Sequence, residues 1–283
     1  MGKIIALVDG SIYSESVCDH AAWVAKGKGW SVEVIHILGR RDESADPRNL
    51  SGNIGLGART ALLNELADLD AQRSKLARKR GQAIIEDAVD RIGAEGVEVT
   101  GRLRLGDLVE TLREAEADAD LVIVGKRGEA ADFASMHLGS NLERAVRSST
   151  KPVLVTSRAF QPVKKLLVAF DGGQSALKAV DHVARSDLFA GLDIHLLTVG
   201  PETTEAKRAI EGAAALLKGA GYEVTWEIVP GQPDTQIADR AEAHDFDLLI
   251  MGAYGHSRIR NLFIGSTTTE MIRACKVPVL LFR

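Results

Sequence analysis

The chain of 283 residues has a formal net charge of -4 and is 45% hydrophobic, enough apolar material to core two domains of ordinary size. That charge gives no general attraction to nucleic acid, no basic stripe is interleaved with aromatics, and no apolar stretch is long enough to span a bilayer. Neither nucleic acid nor a membrane is therefore an expected partner.

The opening MGKIIALVDG reads at once as a strand ending in Asp9-Gly10, which leaves no room for a signal peptide. The start M-G-K-I-I-A also lacks the hydroxyl of a myristoylation signal. A cytoplasmic location is the expectation, and Cys18 and Cys275, each in a helical pattern, read as reduced and buried thiols. Strand two carries His36, and a polar, glycine-containing stretch from Gly39 then leads to a long helical pattern from about Ala58 to Ile92. That surplus helix is either decoration packed on the domain or a lid or interaction surface. GVEVTGRLRLG and ADADLVIVGKRG supply strands three and four, followed by Gly125, Gly128, Gly139 and Ser140 around a loop, a helix, and the apolar strand PVLVTS.

After a short linker near Arg158 to Pro162 the order repeats. LLVAFDG ends in Asp171-Gly172, HLLTV ends at Val199, and a shorter helix runs near Glu202 to Lys218. GYEVTWEIVPG matches GVEVTGRLRLG at an offset of 125, AHDFDLLIMGAYG answers ADADLVIVGKRG, IGST answers LGSN, and KVPVLLF answers KPVLVTS. This is a duplicated domain rather than a short-period repeat. Apolar strands without alternation, separated by helices, mean parallel, doubly wound sheets, so the fold class is α/β with two tandem domains. In such sheets ligands lie at the carboxyl ends of the strands where strand order reverses.

The segment MGAYGHSRIRNLFIGST from Met251 has the chemistry of a phosphate cradle. Gly252, Gly255 and Gly265 let backbone amides close on an anion because no Cβ intervenes, and the following helix adds unpaired N–H donors and its positive dipole end. Ser266 caps that helix and offers its hydroxyl to a phosphate oxygen. Glycines after strands and serines at helix starts are also ordinary turn chemistry. Asp9 and Asp171 have the same double reading, as ligand contacts or as turn-ordering caps. His256 reads as an acid-base group or a solvated loop histidine, Arg258 and Arg260 as phosphate attraction or surface charge, and His36 and His195 as packed strand residues. No His, Cys and carboxylate cluster has metal-ligand spacing.

A first strand ending in Asp, a G-x2-G-x9-G-S/T loop and a final strand opening in a Val-Pro-Val type sequence together resemble the universal stress protein family, as a tandem of two domains at 1–157 and 163–283. The resemblance implies Rossmann-like, adenine nucleotide alpha hydrolase-like domains related by a pseudo-twofold axis, across which the last strands meet as an internal dimer. It implies ATP as ligand, with Mg²⁺ as the accompanying ion. Gly252, Gly255, Gly265, Ser266 and Thr267 would hold phosphates and ribose, Asp171 would lie near them, and Val199 would present its backbone to adenine. The matching first-domain candidates are Asp9, Gly125, Gly128, Gly139 and Ser140.

The two loops differ. The second gap of the first copy holds ten residues instead of nine, its loop contains Glu129 and Asp132, and its helix begins SNLE, so Ser140 and Glu143 form a capping box whose carboxylate fills the place of a phosphate. Lys126 and Arg127 there favour a polyanion. The second domain is thus the expected site of an ATP-binding stress or regulatory protein. A slow ATP hydrolase or phosphotransfer enzyme and a non-nucleotide interaction scaffold are the alternatives; no Walker A lysine follows a glycine loop, and DGGQS and GHSR fall short of pyrophosphatase and nucleotidyl transferase motifs. Adenine nucleotide, an unidentified protein and a second copy in a homodimer are the expected partners.

Overall fold

The computed structural model describes residues 2–39, 56–128, 140–253 and 266–283, with the side chains of 56–63, 140, 266 and 267 outside that description. The first half runs β1 (Lys3–Leu7), α1 (Tyr13–Lys28), β2 (Ser31–Leu38), α2 (Leu56–Ala94), β3 (Val99–Leu105), α3 (Leu108–Ala115), β4 (Leu121–Gly125), α4 (Ser140–Ser148) and β5 (Val153–Thr156). The second repeats it as β6 (Lys165–Ala169), α5 (Gln174–Ala184), β7 (Asp193–Val199), α6 (Thr204–Gly219), β8 (Val224–Val229), α7 (Pro233–Ala243), β9 (Leu248–Gly252), α8 (Ser266–Ala274) and β10 (Val279–Phe282). Cys18 lies in α1 as expected, whereas Cys275 falls one residue beyond α8; both thiols are free and buried. Loss of solvation pushes the Cys18 thiol up to about 12, so it stays protonated and inert.

The strands form one sheet in the order β3-β2-β1-β4-β5-β10-β9-β6-β7-β8. Every neighbouring pair is parallel except β5 with β10, which is antiparallel. Strand order therefore reverses between β1 and β4, and again between β6 and β9. The register locates the pseudo-twofold axis. Gly125 pairs with Thr156 and Gly252 with Phe282, which makes Leu154 and Leu280 equivalent, and these two residues oppose each other across the β5–β10 junction.

Apolar residues cover both sheet faces because both are packed. Ile4, Ala6 and Val8 enter one core layer with residues of α1, α2, α5 and α6, while Ile5 enters the opposite layer with α3, α4, α7 and α8. Local signals start the helices: the Asp107 carboxylate accepts from the amides of Val109 at 2.8 Å and Glu110 at 3.4 Å, and Thr203 Oγ1 accepts from Ala206 N at 3.1 Å. In α2 the packed part is carboxyl-terminal, where Gly81, Ile85, Ala88 and Ile92 are buried at i, i+4 and i+3 spacings.

Two cations tie the halves together beyond the strand pairing. Lys126 Nζ, just past β4, donates to the carbonyls of Arg273 (3.1 Å) and Cys275 (2.7 Å) at the end of α8. Arg283 Nη1, just past β10, donates to the carbonyls of Arg147 (3.4 Å) and Ser149 (3.3 Å) at the end of α4. These are the matching carbonyls of the two copies, satisfied by residues that do not themselves match. Each cation sits where the helix leaves orphan acceptors and negative dipole charge.

Paired histidines flank the same junction. His20 in α1 is fully buried, donates from Nδ1 to the Ser16 carbonyl at 2.7 Å, leaves Nε2 without a partner, and meets the linker residue Phe160 edge-on at 4.9 Å. Its counterpart His182 in α5 meets Phe282 at 4.9 Å. Burial lowers both histidines below the ordinary value of 6.5, aided at His182 by Lys28 and opposed by Asp181 there and by Asp19 at His20. Both rings are neutral in the fold, so their contribution to stability is complete above pH 6.5. It is lost as pH falls below 6.5, because the unfolded chain takes up the protons first. The melting temperature, measured by circular dichroism, is expected to fall between pH 7.5 and pH 5.5, about the range that brackets the unfolded histidine pKa. His20→Gln, which keeps a donor for Ser16, should flatten that dependence; an unchanged slope would remove His20 as its source.

Candidate functional site

At the carboxyl end of β6 and β9 the chain turns sharply. Gly172 has φ 75° and Gly10, its match after β1, has φ 77°, left-handed conformations that favour glycine. Asp171 Oδ1 accepts from the Gly173 amide at 2.8 Å, at the start of α5. Asp9 Oδ1 accepts from the Ser11 amide at 3.0 Å and from the Ser14 hydroxyl at 3.3 Å, and Ser14 Oγ in turn accepts from the Gly10 amide at 3.0 Å. In the second half Ala176 occupies the position of Ser14, so that hydroxyl is absent. Both aspartates therefore order their turns. The strand beyond is pinned in matching fashion, by His36 Nδ1 donating to the Val8 carbonyl (2.8 Å) and Thr198 Oγ1 donating to the Phe170 carbonyl (2.6 Å).

His36 and His195 both lie on the second strand of their halves, but at different register positions. His36 matches Thr198, and His195 matches Glu33. His195 contacts Thr225 Oγ1 at 2.8 Å and Glu227 at 3.2 Å, where burial lowers its pKa against the pull of Glu227, while Glu33 takes Lys3 at 2.6 Å and Arg102 at 2.9 Å. Both are structural networks away from the turns.

Gly125 and Gly252 end β4 and β9, and each is required by a close approach. A Cβ on Gly252 would lie 2.8 Å from Ser175 Cβ and 3.1 Å from the Ala176 amide nitrogen, and one on Gly125 would lie 2.8 Å from Tyr13 Cβ. The missing side chain lets the first turn of the next helix settle onto the strand end, which brings the amino terminus of α5 to the same edge as Asp171. Val199, at the end of β7, lies one strand further out, paired with Val229. Gly255, Arg258 and Gly265 lie outside the described residues, as does Gly139 in the first half. Ser266 and Thr267 open α8 and Ser140 opens α4, their side chains outside the description, so the Ser140–Glu143 capping box also lies outside it.

The space above the two turns differs. A Cβ on Gly10 would lie 2.6 Å from Ile84 Cδ1 and 3.0 Å from its Cγ1, with Arg80 Nη2 at 4.0 Å. Over Gly172 the nearest atom among the described residues is Ala209 Cβ at 3.8 Å. Ile84 and Ala209 are matched positions, at the same 125-residue offset as Gly96 and Gly221. A Cβ on Gly128 would also fall 2.8 Å from Asp9 Oδ2, so the first loop rests on its aspartate.

Lys126 does not serve as the phosphate attractor that its place in the sequence suggested. Its ammonium is spent on the carbonyls at the end of α8, and burial lowers its pKa. Thr268 was missed as a positioning residue: it is buried, and its Oγ1 donates to the Ala253 carbonyl at 2.8 Å, fastening α8 to the residue after β9. The run of hydroxyls from Ser266 to Thr269 was the signal, but only the structure picks out the inward one. Among the described residues no group of His, Cys, Asp or Glu is placed to hold a metal ion, and no helix is long and apolar enough to cross a membrane.

The geometry defines a tandem, doubly wound α/β protein with one candidate cleft per half at the strand-order reversal. The model of the universal stress protein family matches residues 1–157 and 200–283, and the chain belongs to that family. It is 39% identical to a universal stress protein of Synechocystis, Slr1230, over the whole of both chains. It is 33% identical to universal stress protein MJ0577 of Methanocaldococcus jannaschii over 29% of this chain and 50% of that one. A solved universal stress protein from Archaeoglobus fulgidus shares the fold, with a TM-score of 0.72 at 20% identity over 99% of this chain and 96% of its own.

The close approaches predict a graded response to added methyl groups. Gly252→Ala and Gly125→Ala should each cost about 1–3 kcal/mol through overpacking. Gly212→Ala, in open space on α6, should stabilise by about 0.5–1 kcal/mol. Urea denaturation would measure all three, and equal effects would sink the packing argument.

Proposed function

We propose that this protein binds ATP, accompanied by Mg²⁺, in its second half and acts in stress response and regulation. The domains would be 1–157, with a degenerate site, and 163–283, with the competent one. The observation that carries this reading is the contrast over the two Asp-Gly turns: Ile84 crowds Gly10, whereas among the described residues only Ala209, at ordinary contact distance, stands near Gly172. The intact G-x2-G-x9-G-S/T loop belongs to the same half.

In this reading the amino termini of α5 and α8 present amide donors to the phosphates, with Ser266 and Thr267 adding hydroxyls. Asp171 lies beside the ribose and phosphates, Val199 offers backbone to adenine, and Gly252, Gly255, Arg258 and Gly265 complete the cradle. The role is binding with a regulatory output, in which the nucleotide shifts a conformational balance by no more than its difference in affinity for the two states.

Native mass spectrometry and calorimetry with ATP and Mg²⁺ test the assignment. One nucleotide per chain is expected. Ala209→Ile, which copies the first-half residue, should weaken binding at least about tenfold, or about 1.4 kcal/mol, while Ile84→Ala leaves the second-half affinity unchanged. No binding at millimolar ATP, or equal loss in both variants, would overturn the proposal.

A further inference from the structure

The outer part of α2 has no counterpart in the second half and stands apart from the core. From Asn64 to Arg80 no residue is buried, and Leu69 and Leu76 are 45% and 65% exposed, among the most exposed large apolar side chains described. Leu66, Leu69, Arg73 and Leu76 follow one another at steps of three, four and three, the spacing of a single seam that another helix can fill.

Charge along the same stretch is divided in two. Residues 64–72 contain Glu65, Asp68 and Asp70 with no base, and residues 73–80 contain Arg73, Lys75, Arg78, Lys79 and Arg80 with no acid. Lys75 and Lys79 are one turn apart and repel within the helix. A parallel neighbour of the same sequence would set acid on acid. An antiparallel one sets the acidic stretch of each helix against the basic stretch of the other.

We propose that this protein forms a homodimer in which the 64–80 segments of two copies pair as an antiparallel, two-stranded coiled coil. The twofold axis passes at the level of Ala71, so that Leu66 of each copy lies opposite Leu76 of the other, and Glu65 lies opposite Ala77, within two residues of Lys79. The seam is short and broken by Arg73, so its stability depends on the flanking charges and is weakened by salt. The interface is isologous and closed, limiting assembly to two chains. It is independent of nucleotide in the second half, because the 64–80 segment belongs to the first half.

Analytical ultracentrifugation of the full chain, from micromolar to millimolar concentration, tests the proposal. The expected species has twice the 30.4 kDa of the single chain, and high salt should raise its dissociation constant. Leu69→Glu with Leu76→Glu should give a monomer whose thermal unfolding, followed by circular dichroism, is unchanged. Glu65→Lys and Lys79→Glu should each weaken the dimer about tenfold, and the two together should restore it. A wild-type monomer at every concentration, a dimer that survives the double leucine change, or additive rather than compensating charge variants would each overturn it. A monomer that binds single-stranded RNA and loses it on Lys79→Glu would assign the segment to nucleic acid instead.

Discussion

The antiparallel pairing of β5 with β10 is the contact on which the molecule's architecture depends. Each half alone would end in a largely apolar strand with an open row of backbone donors and acceptors, VLVT in one case and VLLF in the other. Joining the two edges satisfies both rows at once and merges two five-stranded sheets into one. Everything near the axis follows from it: Leu154 meets Leu280, Phe160 of the linker folds back onto His20, and the helix ends come within reach of Lys126 and Arg283. Those two cations fill matching roles from non-matching positions, so the duplicated halves have diverged while their junction kept its balance of donors and acceptors.

The duplication, the parallel strands and the edge at which a ligand would sit were legible in the sequence because they rest on local pattern. LVIV and LLIM need both faces covered, and Asp-Gly after a strand needs a turn. Spatial relations were not legible. Ile84 and Ala209 are thirty or more residues from any turn or loop motif of their own half that marks the cleft, and nothing in their neighbours announces that one crowds a glycine and the other does not. Lys126 sits beside the glycine loop in the chain, yet its side chain reaches the far half. Thr268 differs from Thr269 only in which way the helix turns it. Gly252 reads as a ligand glycine from spacing, and its contact with Ser175 shows that packing demands it regardless.

The two Asp-Gly turns show how matched backbones can carry different surroundings. The strand ends, the left-handed glycines and the aspartates are common to both. What differs is second-layer material: a hydroxyl at Ser14 replaced by Ala176, and a branched side chain at Ile84 replaced by Ala209. Such changes leave the backbone alone and alter only the room and the donors above it. A duplicated domain can therefore lose or keep a ligand with few substitutions and little effect on folding.

The outermost strands of the ten-stranded sheet carry a different consequence. β3 bears Arg102 and Arg104, the first tied to Glu33, and β8 bears Glu227 held by Arg240 and His195. Charges fixed on both terminal strands resist the docking of a further strand, since an incoming backbone would have to strip water from them. The same edge chemistry that welds the middle of the sheet is thus blocked at its two rims, which protects a long, continuous sheet from growing into fibres.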